Sequence, residues 1–292
     1  MKFGTPEDLS VLSKLDLSLP PDHPDNSALQ SGEAFNVYIG CSAWGLDEWV
    51  GDVFPEGTKK KDYLTEYIRR FQVVELNSTF YNIKKANMQS WAEKAKDAPF
   101  KYCPKFSRRI SHIKRLKEEV FELADYFVEM CLGFGDNLGM TFLQMPENFG
   151  SKWFERLHDF IKHLPKDFPV AVELRNEDWY EGEVFDETFT MLKDYNKTAV
   201  ITDTALNRKI IHQRLTNDKV FVRFAGYEDH PSNLTRLDEW ALKLKAWKEL
   251  GVSEVYFFSK QEDESYAPKF ADHMIKAVNQ SCGTQIPSPY HI

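Results

Sequence analysis

The segment VAVELR, residues 170–175, begins with small and β-branched apolar residues and ends in charged ones. Short apolar runs of this kind are typical of buried strands. Because successive side chains of a strand point to opposite faces, Glu173 and Arg175 share one face. The earlier segment VVELN, residues 73–77, repeats the pattern with Glu75 and Asn77. Both strands are thus predicted to present polar side chains at their ends.

Similar apolar runs recur along the chain at intervals of about thirty residues, the length of a strand and its crossover helix. Amphipathic stretches separate them, and only the connection from Asp203 to Lys219 lacks a predicted helix. The predicted strands are Val37–Ser42, Val73–Leu76, Lys101–Lys105, Gly139–Gln144, Val170–Leu174, Thr198–Thr202, Val220–Phe224 and Glu254–Phe258. The predicted helices are Lys59–Arg70, Ala86–Lys96, Lys114–Leu132, Ser151–His163, Val184–Tyr195, Leu234–Leu250 and Ser265–Gln280.

This alternation predicts an α/β fold, a (β/α)8 TIM-type barrel with an irregular N-terminal arm. An open doubly wound sheet is the competing architecture, but no strand is followed by a G-x-G-x-x-G or Walker glycine loop. The predicted division is an arm over residues 1–36, the barrel over residues 37–280 and a C-terminal tail over residues 281–292.

Composition narrows the classes of function. The 292 residues include 37 Lys and Arg against 45 Asp and Glu, a formal charge of −8. No chain-wide basic field exists to attract nucleic acid or a membrane surface, so an anionic ligand must be held locally. Four cysteines form no C-x-x-C pair, and the N-terminus carries no secretory signal pattern. These features predict a cytoplasmic protein.

Functional residues of such a barrel are expected at the carboxyl ends of its strands, where active sites of this fold lie. Three carboxylates and three cations are expected there, together with two amides. In chain order these residues are Glu75, Asn77, Lys105, Gln144, Glu173, Arg175, Asp203 and Arg223. Aromatic residues that follow strand ends, among them Trp44, Tyr81 and Trp179, would supply flat apolar walls.

No metal or cofactor is predicted. Sites for hard cations gather carboxylates without intervening cations, whereas here the two signs alternate. No histidine ends a predicted strand, and no G-x-S-x-G nucleophile motif is present.

Taken together, the strand-end motifs resemble the YecE-like family, barrel proteins that form a domain of unknown function, from about Val37 to about Asn279. They are GCSAW at 40–44 with Trp49 and Phe54-Pro55, VELNSTFY at 74–81, Lys105, QMP at 144–146, VELR at 172–175 with Trp179, and Arg223. The resemblance implies a barrel distantly similar to sugar isomerases and apurinic-site endonucleases, an analogy of architecture alone. Two positions depart from the family pattern. Ala225 stands where R-x-H-G has histidine, and Ser259-Lys260 replaces an asparagine-rich stretch.

The leading hypothesis is a protein that binds or transforms a small polyhydroxylated anion, such as a sugar acid or sugar phosphate. Lys105, Arg175 and Arg223 would grip the charge, with Glu75 and Glu173 as acid and base. Hydroxyl groups would be oriented by Asn77, Gln144 and Asp203, and the sugar face would stack on Trp44, Tyr81 and Trp179. Two alternatives stay open: a nucleic-acid-processing or nucleic-acid-binding barrel, which the acidic charge disfavours, and a non-catalytic scaffold whose ion network only rigidifies the barrel.

Overall fold

The computed structural model describes residues 8–26 and 34–291. Its centre is a sheet of eight parallel strands in the order β3-β2-β1-β8-β7-β6-β5-β4. Parallel bridges join Tyr102 to Leu138 and Lys105 to Phe142, which brings β3 beside β4 and closes the barrel. The strands are β1 Asn36–Cys41, β2 Val73–Leu76, β3 Lys101–Pro104, β4 Thr141–Gln144, β5 Val170–Glu173, β6 Thr198–Asp203, β7 Lys219–Gly226 and β8 Glu254–Gln261. The predicted (β/α)8 barrel is confirmed.

Helices occupy the predicted connections. They are α1 Tyr63–Arg70, α2 Ser78–Tyr81, α3 Lys85–Ala95, α4 Phe121–Leu132, α5 Phe154–His163, α6 Gly182–Asp194, α7 Ser232–Leu250 and α8 Ala267–Cys282. The connection from β6 to β7 contains only the 3-10 turn Arg208–Ile210, as the sequence predicts. On α7 the apolar residues three and four positions apart are buried, and Gly251 ends the helix in the left-handed conformation at φ 100°.

The connection between β3 and α4 differs from its prediction. A continuous helix from Lys114 was expected, but the segment forms a π-helix at Arg109–Ile113 and α4 begins only at Phe121. Arg115 and Leu116 between them have positive φ values of 49° and 59°. Leu116 is buried there, so the departure from helical geometry coincides with the burial of an apolar side chain.

Below the carboxyl ends of the strands, the barrel is filled by side chains rather than open. Alternate residues of the strands form an apolar cluster in its interior. Its buried members are Val73, Cys103, Met140, Phe142, Ala171, Val200, Phe221, Tyr256 and Phe258. Polar side chains of the same parity, one pleat further along each strand, therefore lie above this cluster at the C-terminal end.

The described part of the N-terminal arm, residues 8–26, packs beside the β6–β7 connection and α7. Leu12 is buried against Ala205 and Tyr227. Asp22 accepts a hydrogen bond from Trp247 Nε1 at 2.7 Å. Residues 1–7 and 27–33 of the predicted arm lie outside the described residues. Within the described ranges, no helix has the length and apolar character needed to cross a bilayer.

Candidate functional site

The strand ends enclose a cavity of about 460 Å³ at the C-terminal end of the barrel, called the mouth below. Six of the residues predicted for the site line it: Asn77, Tyr81, Lys105, Gln144, Arg175 and Arg223. Phe80, another aromatic residue that follows a strand end, also lines it, and further lining comes from residues that the sequence reasoning did not assign to a site: Ser42, Arg108, His112, Lys260 and Glu264. The volume is that of a small-molecule site.

The floor of the mouth is a network around Arg223, whose side chain is 3% exposed. Its Nε donates to Glu75 Oε1 at 2.6 Å and its Nη2 donates to Glu75 Oε2 at 3.1 Å. Its Nη1 donates to Glu173 Oε2 at 2.7 Å. One arginine of β7 thus links carboxylates from β2 and β5 across the barrel, and bonds to ionised partners are the stronger kind.

Glu173 is saturated with hydrogen-bond donors. Its Oε1 accepts from Arg175 Nε at 2.8 Å and Thr202 Oγ1 at 3.2 Å, and its Oε2 accepts from Arg223 Nη1 and Gln144 Nε2, both at 2.7 Å. Burial by itself would raise the pKa of Glu173, but Arg175 and Arg223 outweigh it and hold the pKa well below its usual range.

Glu75 is in a similar state. Burial opposes its charge, yet Arg223 lowers the pKa of Glu75 below its ordinary value. A carboxylate held ionised by arginines is a weak base and has no proton to donate near neutral pH. The geometry therefore favours Glu75 and Glu173 as groups that position the arginines, rather than as the predicted acid and base.

Lys105 is the cation of the mouth that is held by a neutral partner. Its Nζ donates to Gln144 Oε1 at 2.8 Å and lies 4.5 Å from the centroid of the Phe80 ring. It forms no ion pair with a carboxylate of the described residues. Burial, reinforced by the neighbouring Arg223, lowers the pKa of Lys105 to about 7. A bound anion would stabilise its protonated form.

That state of Lys105 predicts a pH dependence of anion binding. Since the amine is protonated below pH 7 and neutral above it, the affinity of the mouth for any constant-charge anion that it binds should fall by about tenfold from pH 6 to pH 8, and gluconate is a suitable anion for the test. Calorimetric titration across that range measures it. Glu264→Gln should keep this dependence and Lys105→Met should lose it. A wild-type affinity that is flat across the range would contradict the assignment.

Glu264 is the mouth carboxyl that no arginine of the described residues holds. Its Oε1 accepts from Ser42 Oγ at 2.5 Å and lies 3.4 Å from Lys260 Nζ, and its buried Oε2 has no hydrogen-bond partner among them. Burial raises the pKa of Glu264 above its ordinary value. Of the acids at the mouth, it is the best suited to accept and release a proton.

The remaining lining residues had different signals in the sequence. Strand β8 runs to Gln261, three residues beyond its predicted end at Phe258, so Lys260 belongs to the strand end. The strand-end rule would have selected it with the correct boundary. His112 lies in the π-helix, which no pattern in the sequence predicts. Burial, together with Lys105, lowers the pKa of His112 to about 4, so it is neutral near pH 7.

Asp203 does not reach the mouth, which corrects its predicted role in orienting hydroxyls. It lies on the face of β6 opposite to Thr202, and its carboxylate contacts Arg236 Nη2 at 2.8 Å and Trp240 Nε1 at 2.8 Å on α7. Arg208 Nη1 approaches the same carboxylate at 2.5 Å. The two-residue alternation of a strand explains the error: because Thr202 points inward to Glu173, Asp203 must point outward.

Two predicted stacking residues also lie away from the mouth. Trp179 is buried, stacks on Phe149 with ring centroids 5.9 Å apart and donates from Nε1 to Phe149 O at 2.7 Å. Trp44 packs edge-on against Trp91 with centroids 6.0 Å apart. Both are occupied by packing in the helical layer, where aromatic rings lose most water-exposed area. Tyr81 does line the mouth, beside Phe80.

Among the described residues, the group with metal-ligand spacing is His23, Asp25 and Asp186, outside the mouth. The Arg214 guanidinium lies within 2.5 Å of Asp25 and 2.6 Å of Asp186, so it already supplies the positive charge. These residues do not fit a metal.

The mouth carries an excess of positive charge in a protein of formal charge −8. Five cations line it: Lys105, Arg108, Arg175, Arg223 and Lys260. The acids in contact with them are Glu75, Glu173 and Glu264. Water and salt screen charges less in a concave, partly buried site than on an open surface. This surplus of positive charge therefore attracts anions locally.

Comparison with known proteins places these features in a family. The sequence profile of the family described as "Protein of unknown function DUF72" matches residues 38–290. UPF0759 protein YecE of Escherichia coli strain K12 is 27% identical over 253 residues, which cover 80% of this chain and 89% of that protein. UPF0759 protein YunF of Bacillus subtilis strain 168 is 27% identical over 165 residues, 54% of this chain and 57% of that protein.

Two crystal structures of DUF72 family proteins share the fold. The protein of Thermotoga maritima superposes with a TM-score of 0.65 at 23% identity, over 84% of this chain and 99% of that chain. The protein of Enterococcus faecalis V583 gives a TM-score of 0.65 at 18% identity, over 83% of this chain and 95% of that chain. At these identities the likeness concerns the fold.

Proposed function

This chain belongs to the DUF72 family, and from that premise we propose that its barrel mouth binds a small polyhydroxylated anion, a sugar acid or a sugar phosphate. The observation that carries the proposal is the surplus of cations around a cavity of about 460 Å³. Arginine forks suit carboxylate and phosphate, and a lysine adds a compact positive charge.

The other lining groups suit a sugar. The Asn77 amide, the Ser42 hydroxyl and the Gln144 amide offer neutral hydrogen-bonding groups beside the cations. Phe80 and Tyr81, whose rings meet edge-on, supply aromatic surface against which the apolar face of a sugar ring can lie. A site with a few convergent polar groups and an aromatic wall is the usual form of small-molecule recognition.

Lys105→Met tests the proposal. Its removal should weaken binding of sugar acids and sugar phosphates by at least about tenfold, because a charge-assisted hydrogen bond contributes about 1.5–3 kcal/mol. Isothermal titration with gluconate, glucose 6-phosphate and ribose 5-phosphate measures the change.

Lys219→Met is the matched control for that variant. Lys219 begins β7 at the opposite end of the barrel, where its Nζ pairs with Glu254 at 2.9 Å. The Lys219→Met protein should bind the same ligands with the same affinity as the wild type. If the wild type binds none of these anions, or if both variants bind as well as the wild type does, the proposal is wrong.

A further inference from the structure

A second cavity of about 430 Å³ adjoins the mouth and shares Phe80, Tyr81 and Arg108 with it. We call it the groove. Its sides come from three segments: the end of α2 with Asn82 and Ile83, the start of the β3–α4 connection, and α4 with Leu123 and Tyr126. The groove thus continues the mouth along the outside of the barrel, from the strand ends of β2 and β3 toward α4.

Phe80 lines both cavities. Lys105 lies 4.5 Å from its ring centroid, whereas Tyr81 meets it edge-on with centroids 5.2 Å apart. His112 meets the same ring edge-on at 5.0 Å. A ligand that extends from the mouth into the groove would therefore lie beside this ring, with Arg108 bordering both spaces.

The groove presents exposed aromatic and apolar side chains beside its polar ones. Tyr81 is 77% exposed, Ile113 is 60% exposed and Tyr126 is 40% exposed. Large apolar side chains that are clustered and exposed beside a polar pocket mark a binding surface rather than random scatter. Nucleic-acid bases of any identity can also stack on exposed tyrosine rings.

Charge in the groove is of one sign. Arg108 and Arg109 both line it, and neither forms an ion pair with a carboxylate of the described residues. No acidic side chain lines it among those residues. An occupant that combines an aromatic ring with phosphate charge would match both features, since guanidinium groups bind phosphate oxygens in pairs.

We propose that the ligand of this site is a sugar joined through a diphosphate to a nucleoside, with the sugar in the mouth, the diphosphate between the cations of the mouth and Arg108, and the base in the groove. This inference rests on the proposed function, because it extends the anion of the mouth into the neighbouring space. It names the substrate class as nucleotide-linked sugars rather than free sugar acids or simple sugar phosphates.

The experiment compares UDP-glucose and ADP-glucose with glucose 1-phosphate by isothermal titration. Both nucleotide sugars should bind at least about tenfold more tightly than glucose 1-phosphate, because a base stacked in the groove adds contacts that glucose 1-phosphate lacks. The two should behave alike because such stacking is tolerant of base identity. Tyr126→Ala and Ile113→Ser should bring that ratio close to one. Leu242→Ala, which removes a side chain 63% exposed on α7, should keep the wild-type ratio.

The outcomes separate the two proposals. If glucose 1-phosphate binds and the nucleotide sugars bind no more tightly, the groove assignment is overturned while the anion site stands. If neither glucose 1-phosphate nor the anions named above bind, the anion site itself is wrong. Tighter binding of an oligothymidylate than of UDP-glucose, with a steep decrease at high salt, would instead assign the groove to single-stranded nucleic acid and overturn the inference.

Discussion

Replacing Arg223 by methionine is expected to lower the free energy of unfolding by about 3–5 kcal/mol. Arg223 is the shared partner of Glu75 and Glu173, both of which are fully buried. Its loss would leave Glu75 without a cationic partner among the described residues, and among them it would leave Glu173 with Arg175 as its one ion-pair partner. Urea unfolding of both proteins followed by circular dichroism measures the difference.

Two variants control for the charge itself. Lys209→Met breaks an exposed pair with Glu177, in which the lysine side chain is 71% exposed, and should change stability by less than about 1 kcal/mol. Adding Glu75→Gln and Glu173→Gln to Arg223→Met should restore part of the lost stability, because the stranded charges are then absent. A single-variant effect below about 1 kcal/mol would show that the carboxylates do not depend on Arg223.

Much of the fold could be predicted because each strand of a parallel barrel is buried on both faces. Such strands are short apolar runs, so their positions can be predicted without knowing which strands lie beside them, as at Val170–Glu173. Their ends were less predictable: β7 and β8 extend beyond the expected boundaries to Gly226 and Gln261. Pairing between adjacent strands, which runs to Gly226 opposite Gln261, sets those ends, and one strand's sequence does not contain it.

The site was predictable to the extent that strand alternation determines direction. Glu75, Glu173 and Arg223 share the parity of the interior cluster, and they meet as expected. Residues in loops follow no such periodicity. Glu264 and His112 reach the mouth from the β8–α8 and β3–α4 connections, so only the folded chain brings them there.

The second large effect is expected for Asp203→Ala, which should lower the free energy of unfolding by about 3–5 kcal/mol. Its fully buried carboxylate holds Arg236, whose side chain is 2% exposed, and accepts a hydrogen bond from Trp240. Without it, the Arg236 guanidinium would be buried with only the carbonyls of Ala225 and residue 203 as acceptors. Thermal and urea unfolding measure the loss, and Asp203→Asn should show a smaller one because it can still accept a hydrogen bond from Trp240.

The affinity of these variants distinguishes a structural acid from a binding one. Asp203 faces α7, away from the mouth, so Asp203→Asn should lower stability and leave the affinity for every anion that the wild type binds unchanged. Lys105→Met should do the reverse. Its removal leaves two arginines against two carboxylates in the floor of the mouth, Arg175 and Arg223 against Glu75 and Glu173, so the buried charges still balance. An Asp203→Asn protein that folds as stably as the wild type but binds anions more weakly would return Asp203 to the site and contradict the outward orientation of its side chain.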